Sequence, residues 1–150
     1  MTLKKRRRRV LGVILVLVFG MAGGGWWWVY RDTRPPLVTI NVAKIQPKIT
    51  IANELRMMVQ PVAVSNREVS FKVRLESYQN TDAVRANPID IMMLTIQEDI
   101  PFRDATWSDH HHSDYRREGV ISFKVDRLPQ LLRLSVFEQE ERLFEWDIPH

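Results

Sequence analysis

Val69-Ser70-Phe71-Lys72-Val73-Arg74-Leu75-Glu76 is the stretch that decides the fold class of this chain of 150 residues. Apolar residues alternate with polar ones through the whole stretch. Because successive side chains of a β-strand point to opposite faces of a sheet, this alternation predicts a strand with one buried and one wet face. We place that strand at residues 67–78.

Shorter apolar or alternating runs surround this strand at intervals of about ten residues, as in all-β domains. The other predicted strands are 37–51 with an interruption at Pro47, 54–64, 89–96, 119–125, 131–137 and 142–148. The last two are joined at 138–141 and predict a hairpin. The run 54–64 fits either one helical turn or a strand ended by Pro61, and we favour the strand. The run 89–96 is almost wholly apolar, which favours a central strand covered on both faces or one near the domain seam.

The polar segment 79–88 is predicted to be a connection. No convincing amphipathic helix follows residue 36. About seven short strands without such a helix predict a mainly β fold, an antiparallel immunoglobulin-like β-sandwich.

The N-terminal segment carries the pattern of a membrane anchor. Its basic residues are Lys4, Lys5, Arg6, Arg7, Arg8 and Arg9, and its uncharged run 10–30 closes on the aromatic residues Trp26, Trp27, Trp28 and Tyr30. About 20 mainly apolar residues in a helix cross a hydrocarbon core of about 30 Å. Cations favour the cytoplasmic side, and Trp and Tyr favour the membrane interfaces.

These features predict four segments. They are a cytoplasmic basic flank at 1–9, a transmembrane helix at 10–30, a linker with two prolines at 31–36, and an extracytoplasmic domain at 37–150. The predicted location is the cytoplasmic or plasma membrane of a prokaryote, with the N-terminus inside and the lipid bilayer as the first partner.

A cleavable signal peptide is the alternative for the same segment. Its purest apolar part, 10–19, has the length of a signal core, and small residues follow at 22–25. A cut near Ala22 would leave a mature chain that begins with glycines and tryptophans and has no obvious core to join. The aromatic belt therefore favours the retained anchor.

The distribution of charge narrows the classes of partner. The chain has a net charge of +4, but six basic and no acidic residues fall in 1–30, leaving 16 basic against 18 acidic residues from Arg31 onward. Basicity confined to the membrane flank suits anionic lipid headgroups and argues against a nucleic-acid surface. The absence of cysteine excludes disulfides, a thiolate nucleophile and cysteine-ligated zinc or iron–sulfur sites.

Residues 98–118 are predicted to form a loop rich in metal-ligand side chains. Its centre reads Asp109-His110-His111-His112-Ser113-Asp114, and imidazoles and carboxylates are accepted ligands of zinc and copper. In an extended segment His110 and His112 would share a face. The further candidate ligands are Asp109, Asp114, His150 and, for cuprous copper, Met57, Met58, Met92 and Met93. The alternative is a solvated loop that binds metal adventitiously.

The same residues are compatible with other roles for this segment. The imidazoles could sense pH, since they change charge between about pH 5 and 8. Catalysis by Ser108 or Ser113 is disfavoured, because a triad needs side chains from separate segments and an oxyanion site. Trp107 and Arg117 flank the histidines and are candidate partner-binding residues, although such a tryptophan commonly packs under its own loop.

The second half of the chain resembles a known group of proteins over residues 69–148. The matching features are the strand from Val69 to Leu75, the tryptophan Trp107, the Arg-Glu-Gly-Val-Ile-Ser-Phe segment ending at Phe123, and the closing Phe144-Glu145-Trp146. They resemble a family of small prokaryotic proteins, often membrane-anchored, with a predicted sandwich domain and no established activity. The family's histidine pair would fall near Tyr115 and Arg116, whereas the histidines here lie at 110–112.

Sequence alone thus favours a single-pass membrane protein with a non-catalytic binding or assembly module outside the cytoplasm. The partner would be another membrane or extracytoplasmic protein. The alternative function is the handling of copper or zinc by His110 and His112.

Overall fold

The computed structural model describes residues 35–79, 81–97 and 101–148. The chain divides into two units, Met1–Pro36 and Leu37–His150. The predicted basic flank, transmembrane helix and most of the linker lie outside the described residues, as does His150. Within the described ranges, no helix has both the length and the apolar character needed to cross a bilayer.

The second unit is mainly β, as the sequence predicts. Its strands are β1 (Thr39–Ile40), β2 (Lys48–Ala52), β3 (Leu55–Ser65), β4 (Glu68–Glu76), β5 (Met92–Ile96), β6 (Ala105–His112), β7 (Arg116–Lys124), β8 (Leu131–Phe137) and β9 (Glu141–Asp147). They form two antiparallel sheets. Sheet A has the order β1-β3-β4-β7-β6, with β2 also paired to β3, and sheet B has the order β5-β8-β9.

The two sheets bury one common core. On β4, the predicted inward set Val69, Phe71, Val73 and Leu75 is fully buried, which confirms the alternation from which the fold was predicted. Phe71 of sheet A meets Trp146 of sheet B with ring centroids 5.5 Å apart. Because fully burying one such apolar side chain contributes about 1.5–3 kcal/mol, the shared inner faces hold the sheets together.

The hairpin of β2 and β3 is set by a tight turn at Asn53 and Glu54. Both residues have positive φ, 48° and 63°, and Ala52 pairs directly with Leu55. Two central residues with positive φ are the mark of a type I′ hairpin turn, whose twist matches that of the strands. The strand favoured at 54–64 is confirmed as β3, but it continues through Pro61 to Ser65 instead of ending at the proline.

The predicted connection after β4 is confirmed, and it contains two short helices, α1 (Thr81–Arg85) and α2 (Pro88–Ile91). Asn87 caps α2 by accepting a hydrogen bond from the Ile89 N–H at 3.4 Å, and Pro88 occupies the first helical turn. Asn followed by Pro is a helix start signal. A helix of four or five residues is too short to show a period in the sequence.

The strand predicted at 89–96 is confirmed over Met92–Ile96, but the interpretation of this strand as a central one is wrong. Residues 89–91 belong to α2, and β5 begins only at Met92 and lies at an edge of sheet B. Its burial alternates, with Met93 and Thr95 half-buried, so one face is partly open. The apolar run combines a helix end with a one-sided strand.

The segment predicted as a loop at 98–118 instead contains strand β6 and the start of β7. The two strands form a hairpin joined at 113–115. Ser113 makes this turn, since its hydroxyl accepts from the Arg116 N–H at 3.1 Å. The strand was missed because β6 is an edge strand with only Ala105 and Trp107 partly buried, which leaves no apolar alternation to read.

Candidate functional site

Two exposed tyrosines stack on each other at one end of the domain. Tyr78 is 84 % and Tyr115 is 52 % exposed, and their ring centroids lie 5.5 Å apart at an interplanar angle of 27°. Tyr78 follows β4 and Tyr115 precedes β7, and these strand ends are aligned because Glu76 pairs with Arg116. The Ser77 N–H donates to the Tyr115 carbonyl at 2.9 Å, which ties the two segments together.

We call this end of the domain the tyrosine end. The β2–β3 turn, the helical connection and the β8–β9 turn also lie here, since Arg142 beside the β8–β9 turn donates to the Leu55 carbonyl at 3.1 Å. Arg85 of α1 pairs with Asp114 at 2.9 Å, and both side chains are more than half exposed. Tyrosine and arginine are the residue types most enriched at protein-binding hot spots.

Arg117, a predicted partner-binding residue, is only 8 % exposed and is bonded on every side within the domain. Its Nε and Nη2 donate to the two carboxylate oxygens of Asp109 at 2.8 and 2.9 Å. Its Nη1 donates to the Ala86 carbonyl at 2.7 Å and the Arg85 carbonyl at 3.3 Å. Arg117 therefore joins β7, β6 and the C-terminal end of α1, whose carbonyls lack helical partners.

Trp107, the second predicted partner-binding residue, packs within its own hairpin. The Arg117 guanidinium lies 5.5 Å from its ring centroid, within the range of a cation–π contact. The ring also covers Gly119, where an added Cβ would come within 2.5 Å of the indole and 2.3 Å of the Ser108 carbonyl. Glycine is required at 119 because the tryptophan occupies the space of a side chain. A partner-binding role for Trp107 and Arg117 stays a prediction.

The three histidines lie in the exposed second half of β6, beside a bulge. The pairing register shifts between Asp109 and His111, and beyond it His112 pairs with Arg117. Such a bulge breaks the strict alternation that would place His110 and His112 on one face.

The carboxylates predicted as metal ligands are engaged elsewhere, Asp109 with Arg117 and Asp114 with Arg85. In the parts of the chain that the structure describes, no three His, Asp or Glu side chains gather as a metal site. Met57 and Met92, two of the candidate copper ligands, are buried in the core. Metal binding by His110 and His112 stays a prediction.

Two carboxylates of the β6–β7 hairpin, Asp109 and Glu118, have strongly lowered pKa values. The Arg117 guanidinium lowers the pKa of Asp109 to about 2 against the opposing effect of desolvation, with a smaller contribution from the Trp107 indole. On the outer face of sheet A, Arg116 and Lys72 lower the pKa of Glu118 to about 2. The Lys72 Nζ lies 2.9 Å from the Glu118 carboxylate.

These shifts predict a loss of stability in acid. Both pKa values are depressed on folding, from 3.8 for Asp109 and 4.5 for Glu118, so the unfolded chain binds more protons below about pH 4.5. The two ionised carboxylates contribute their full stabilisation above the pKa values of the unfolded chain, and this stabilisation is lost as the pH falls towards 2. We expect the unfolding midpoint in urea to fall over this range, and to fall less steeply in an Asp109→Asn, Glu118→Gln variant.

Glu140→Gln is the matched control for this measurement, because Glu140 lies exposed in the β8–β9 turn. It should keep the acid dependence of the parent chain. If the unfolding midpoint falls equally steeply with pH in the double variant and the parent, Asp109 and Glu118 are not the source of the acid sensitivity.

Sequence reasoning missed the tyrosine pair. In the sequence, Tyr115 falls in the predicted loop 98–118 and Tyr78 at the end of the predicted strand 67–78. The two are 37 positions apart, and only the pairing of β4 with β7 brings them together. One feature of the sequence could have indicated this surface pair: each tyrosine stands at a strand end, where its aromatic ring is not part of the core.

No protein-family model, curated protein or solved structure matches this chain. The resemblance described from the sequence therefore stays an expectation.

Proposed function

We propose that this protein is a single-pass, membrane-anchored binding or assembly module without catalytic activity. Its domain outside the cytoplasm would be an immunoglobulin-like sandwich. The strand order supports this fold, because β3-β4-β7-β6 facing β5-β8-β9 is the order of the seven strands A-B-E-D and C-F-G in constant-type immunoglobulin domains. The anchor is supported by the basic flank, the uncharged run and the aromatic belt of the sequence.

The observation that carries the binding proposal is the exposed stack of Tyr78 and Tyr115. Two adjacent exposed aromatic rings leave apolar surface in water that a partner can cover. Tyrosine also supplies a large contact area with little loss of side-chain entropy, which is why it dominates binding loops. The neighbouring pair of Arg85 and Asp114 would supply polar contacts at the rim.

The position of the stack within the domain supports the same proposal. Connections β4–β5, β6–β7 and β8–β9 meet at the tyrosine end, and the equivalent end carries binding loops in immunoglobulin variable domains. The chain enters the domain at the other end, since β1 pairs with Val64 and Ser65 at the far terminus of β3 from Leu55. A module held where its chain enters would leave the tyrosine end open to a partner.

The nature of the surface indicates a protein partner. The domain and linker carry nearly balanced charge, with 16 basic and 18 acidic residues after residue 30, so long-range attraction to a polyanion is not favoured. Aromatic rings flanked by an arginine and a carboxylate suit a mixed apolar and polar protein surface. The partner would be another membrane or extracytoplasmic protein.

The test is a crosslinking pull-down with the full-length, detergent-solubilised chain. We expect specific partners to be recovered with the parent chain and to be lost at least about tenfold with Tyr78→Ala, Tyr115→Ala, since hot-spot side chains contribute about 2 kcal/mol or more to binding. Val62→Ala is the matched control, because Val62 is 40 % exposed near the Ser65 end of β3, at the far end of the domain from the stack. It should leave recovery unchanged.

A chain reduced to residues 1–36 defines the background recovery. Recovery no better than this background, or equal recovery with and without the two tyrosines, would overturn the proposal.

A further inference from the structure

Strand β2 forms an open edge of sheet A with two exposed isoleucines. Within the described residues, β2 pairs with β3 alone. Ile49 is 49 % and Ile51 is 73 % exposed, and both point to the outer face because they pair with Met58 and Arg56. An exposed edge strand of β-branched residues is a template for pairing with another strand.

The free backbone groups of this edge belong to the same two isoleucines. Ala52 and Leu55 flank a two-residue turn and so form a hydrogen-bonded pair, and such pairs alternate along an antiparallel ladder. Thr50 therefore directs its N–H and C=O groups towards β3. Ile49 and Ile51 direct theirs away from it.

The sheet edges formed by β6 and β5 carry features that oppose strand addition, and β2 lacks these features. β6 has the bulge at Asp109 and His111. β5 is partly covered by Phe102, whose N–H donates to the Leu94 carbonyl at 2.7 Å. Bulges and covering segments are known protections of edge strands. β2 pairs in unbroken register and has a single charged residue, Lys48, at its first position.

We propose that a second copy of this chain pairs with β2, antiparallel and about a two-fold axis at Thr50. In this register Ile49 lies opposite the partner's Ile51, so residues with outward backbone groups face each other. The two symmetric pairs would form four backbone hydrogen bonds, and sheet A would continue from one copy into the other.

The sequence of β2 is what favours a second copy over an unrelated peptide. Ile49-Thr50-Ile51 has the same pattern of side chains in either direction, so one two-fold axis satisfies both edges at once. Lys48 falls opposite the partner's Ala52, and no like charges meet. Cross-strand pairs of β-branched side chains stabilise such an interface. The inference does not depend on the proposed function at the tyrosine end.

Engineered cysteines test the register, because the natural chain contains none. Full-length Ile49→Cys and Ile51→Cys chains are prepared in detergent and oxidised separately and as a mixture. Opposite residues of a hydrogen-bonded pair have Cα atoms about 5.5 Å apart, which suits a disulfide. We expect the mixture to form disulfide dimers faster than either variant alone. Equal rates in all three samples would overturn the proposal.

Charged substitutions in β2 provide the second test, in which sedimentation over a concentration series measures the self-association of the full-length chain. Ile51→Glu places a carboxylate beside Arg56 of its own chain, so the fold should be kept, but it should weaken association about tenfold or more by removing both apolar pairs. Adding Ile49→Lys should restore association through opposite charges across the axis. Unchanged association in the single variant, or failure of the second substitution to restore it, would overturn the proposal.

Discussion

Replacing Arg142 with methionine is expected to lower the free energy of unfolding by about 3–5 kcal/mol, the usual effect of breaking a buried ion pair. Arg142 and Glu138 are joined at 3.0 Å with side chains only 6 % and 10 % exposed. The same guanidinium donates to the Ala52 carbonyl at 2.7 Å and the Leu55 carbonyl at 3.1 Å. One side chain thus fastens the β8–β9 turn of sheet B to the β2–β3 turn of sheet A.

The loss should be large because three acceptors lose a charged donor together. Methionine approximates the length of the arginine stem but donates no hydrogen bond, so two carbonyls and a carboxylate lose this partner in a nearly dry position. Urea unfolding of the detergent-solubilised chain, followed by near-UV circular dichroism, gives the change. A second variant with Glu138→Leu added should be more stable than Arg142→Met alone, since apolar replacement of both partners removes the stranded charge.

Arg133→Met is the matched control on the same sheet. Arg133 pairs with Glu145 at 2.6 Å, but the two side chains are 30 % and 45 % exposed. Exposed ion pairs contribute about 0–1 kcal/mol, so this variant should unfold near the parent midpoint. Equal losses for Arg142→Met and Arg133→Met would show that Arg142 does not fasten the two turns.

The sequence predicts strands correctly where one face of the strand is buried and the alternation is regular. The strand at 67–78 and the hairpin of β8 and β9 were predicted because every second side chain enters the core. The polar edge strand β6 gave no such signal. β6 is a strand because it forms backbone hydrogen bonds with β7. Local propensity and the apolar pattern of the sequence do not show this tertiary pairing.

The buried arginines show why the supporting contacts could not be predicted. Arg142 bonds the carbonyls of residues 87 and 90 positions away, and Arg117 bonds carbonyls 31 and 32 positions away. Every residue has a backbone carbonyl, so the sequence does not show which carbonyls accept these hydrogen bonds. The sequence therefore indicates Arg117 only as a candidate partner-binding residue, whereas the fold places it under Trp107 and beside α1.

Replacing Arg117 with methionine is expected to lower the free energy of unfolding by about 2–3 kcal/mol, the scale of charged hydrogen bonds in a partly buried site. The figure is smaller than for Arg142, because the Asp109 side chain is 38 % exposed and water can solvate it after the change. Arg117→Lys should recover only part of the loss, since an ammonium group cannot bind both carboxylate oxygens in the planar fork of a guanidinium.

Arg116→Met is the control at the neighbouring position. Arg116 points to the opposite face of sheet A and is 39 % exposed, and Glu118 keeps Lys72 as a second partner at 2.9 Å, so the loss of Arg116 should lower stability less than the loss of Arg117. Hydrogen exchange separates a local role from a global one. Because Arg117 holds the end of α1, the amides of residues 81–86 should exchange faster in Arg117→Met and remain unchanged in Arg116→Met. Equal stability of the Arg117 variant and the parent would mean that Arg117 is free to serve the partner role predicted from the sequence.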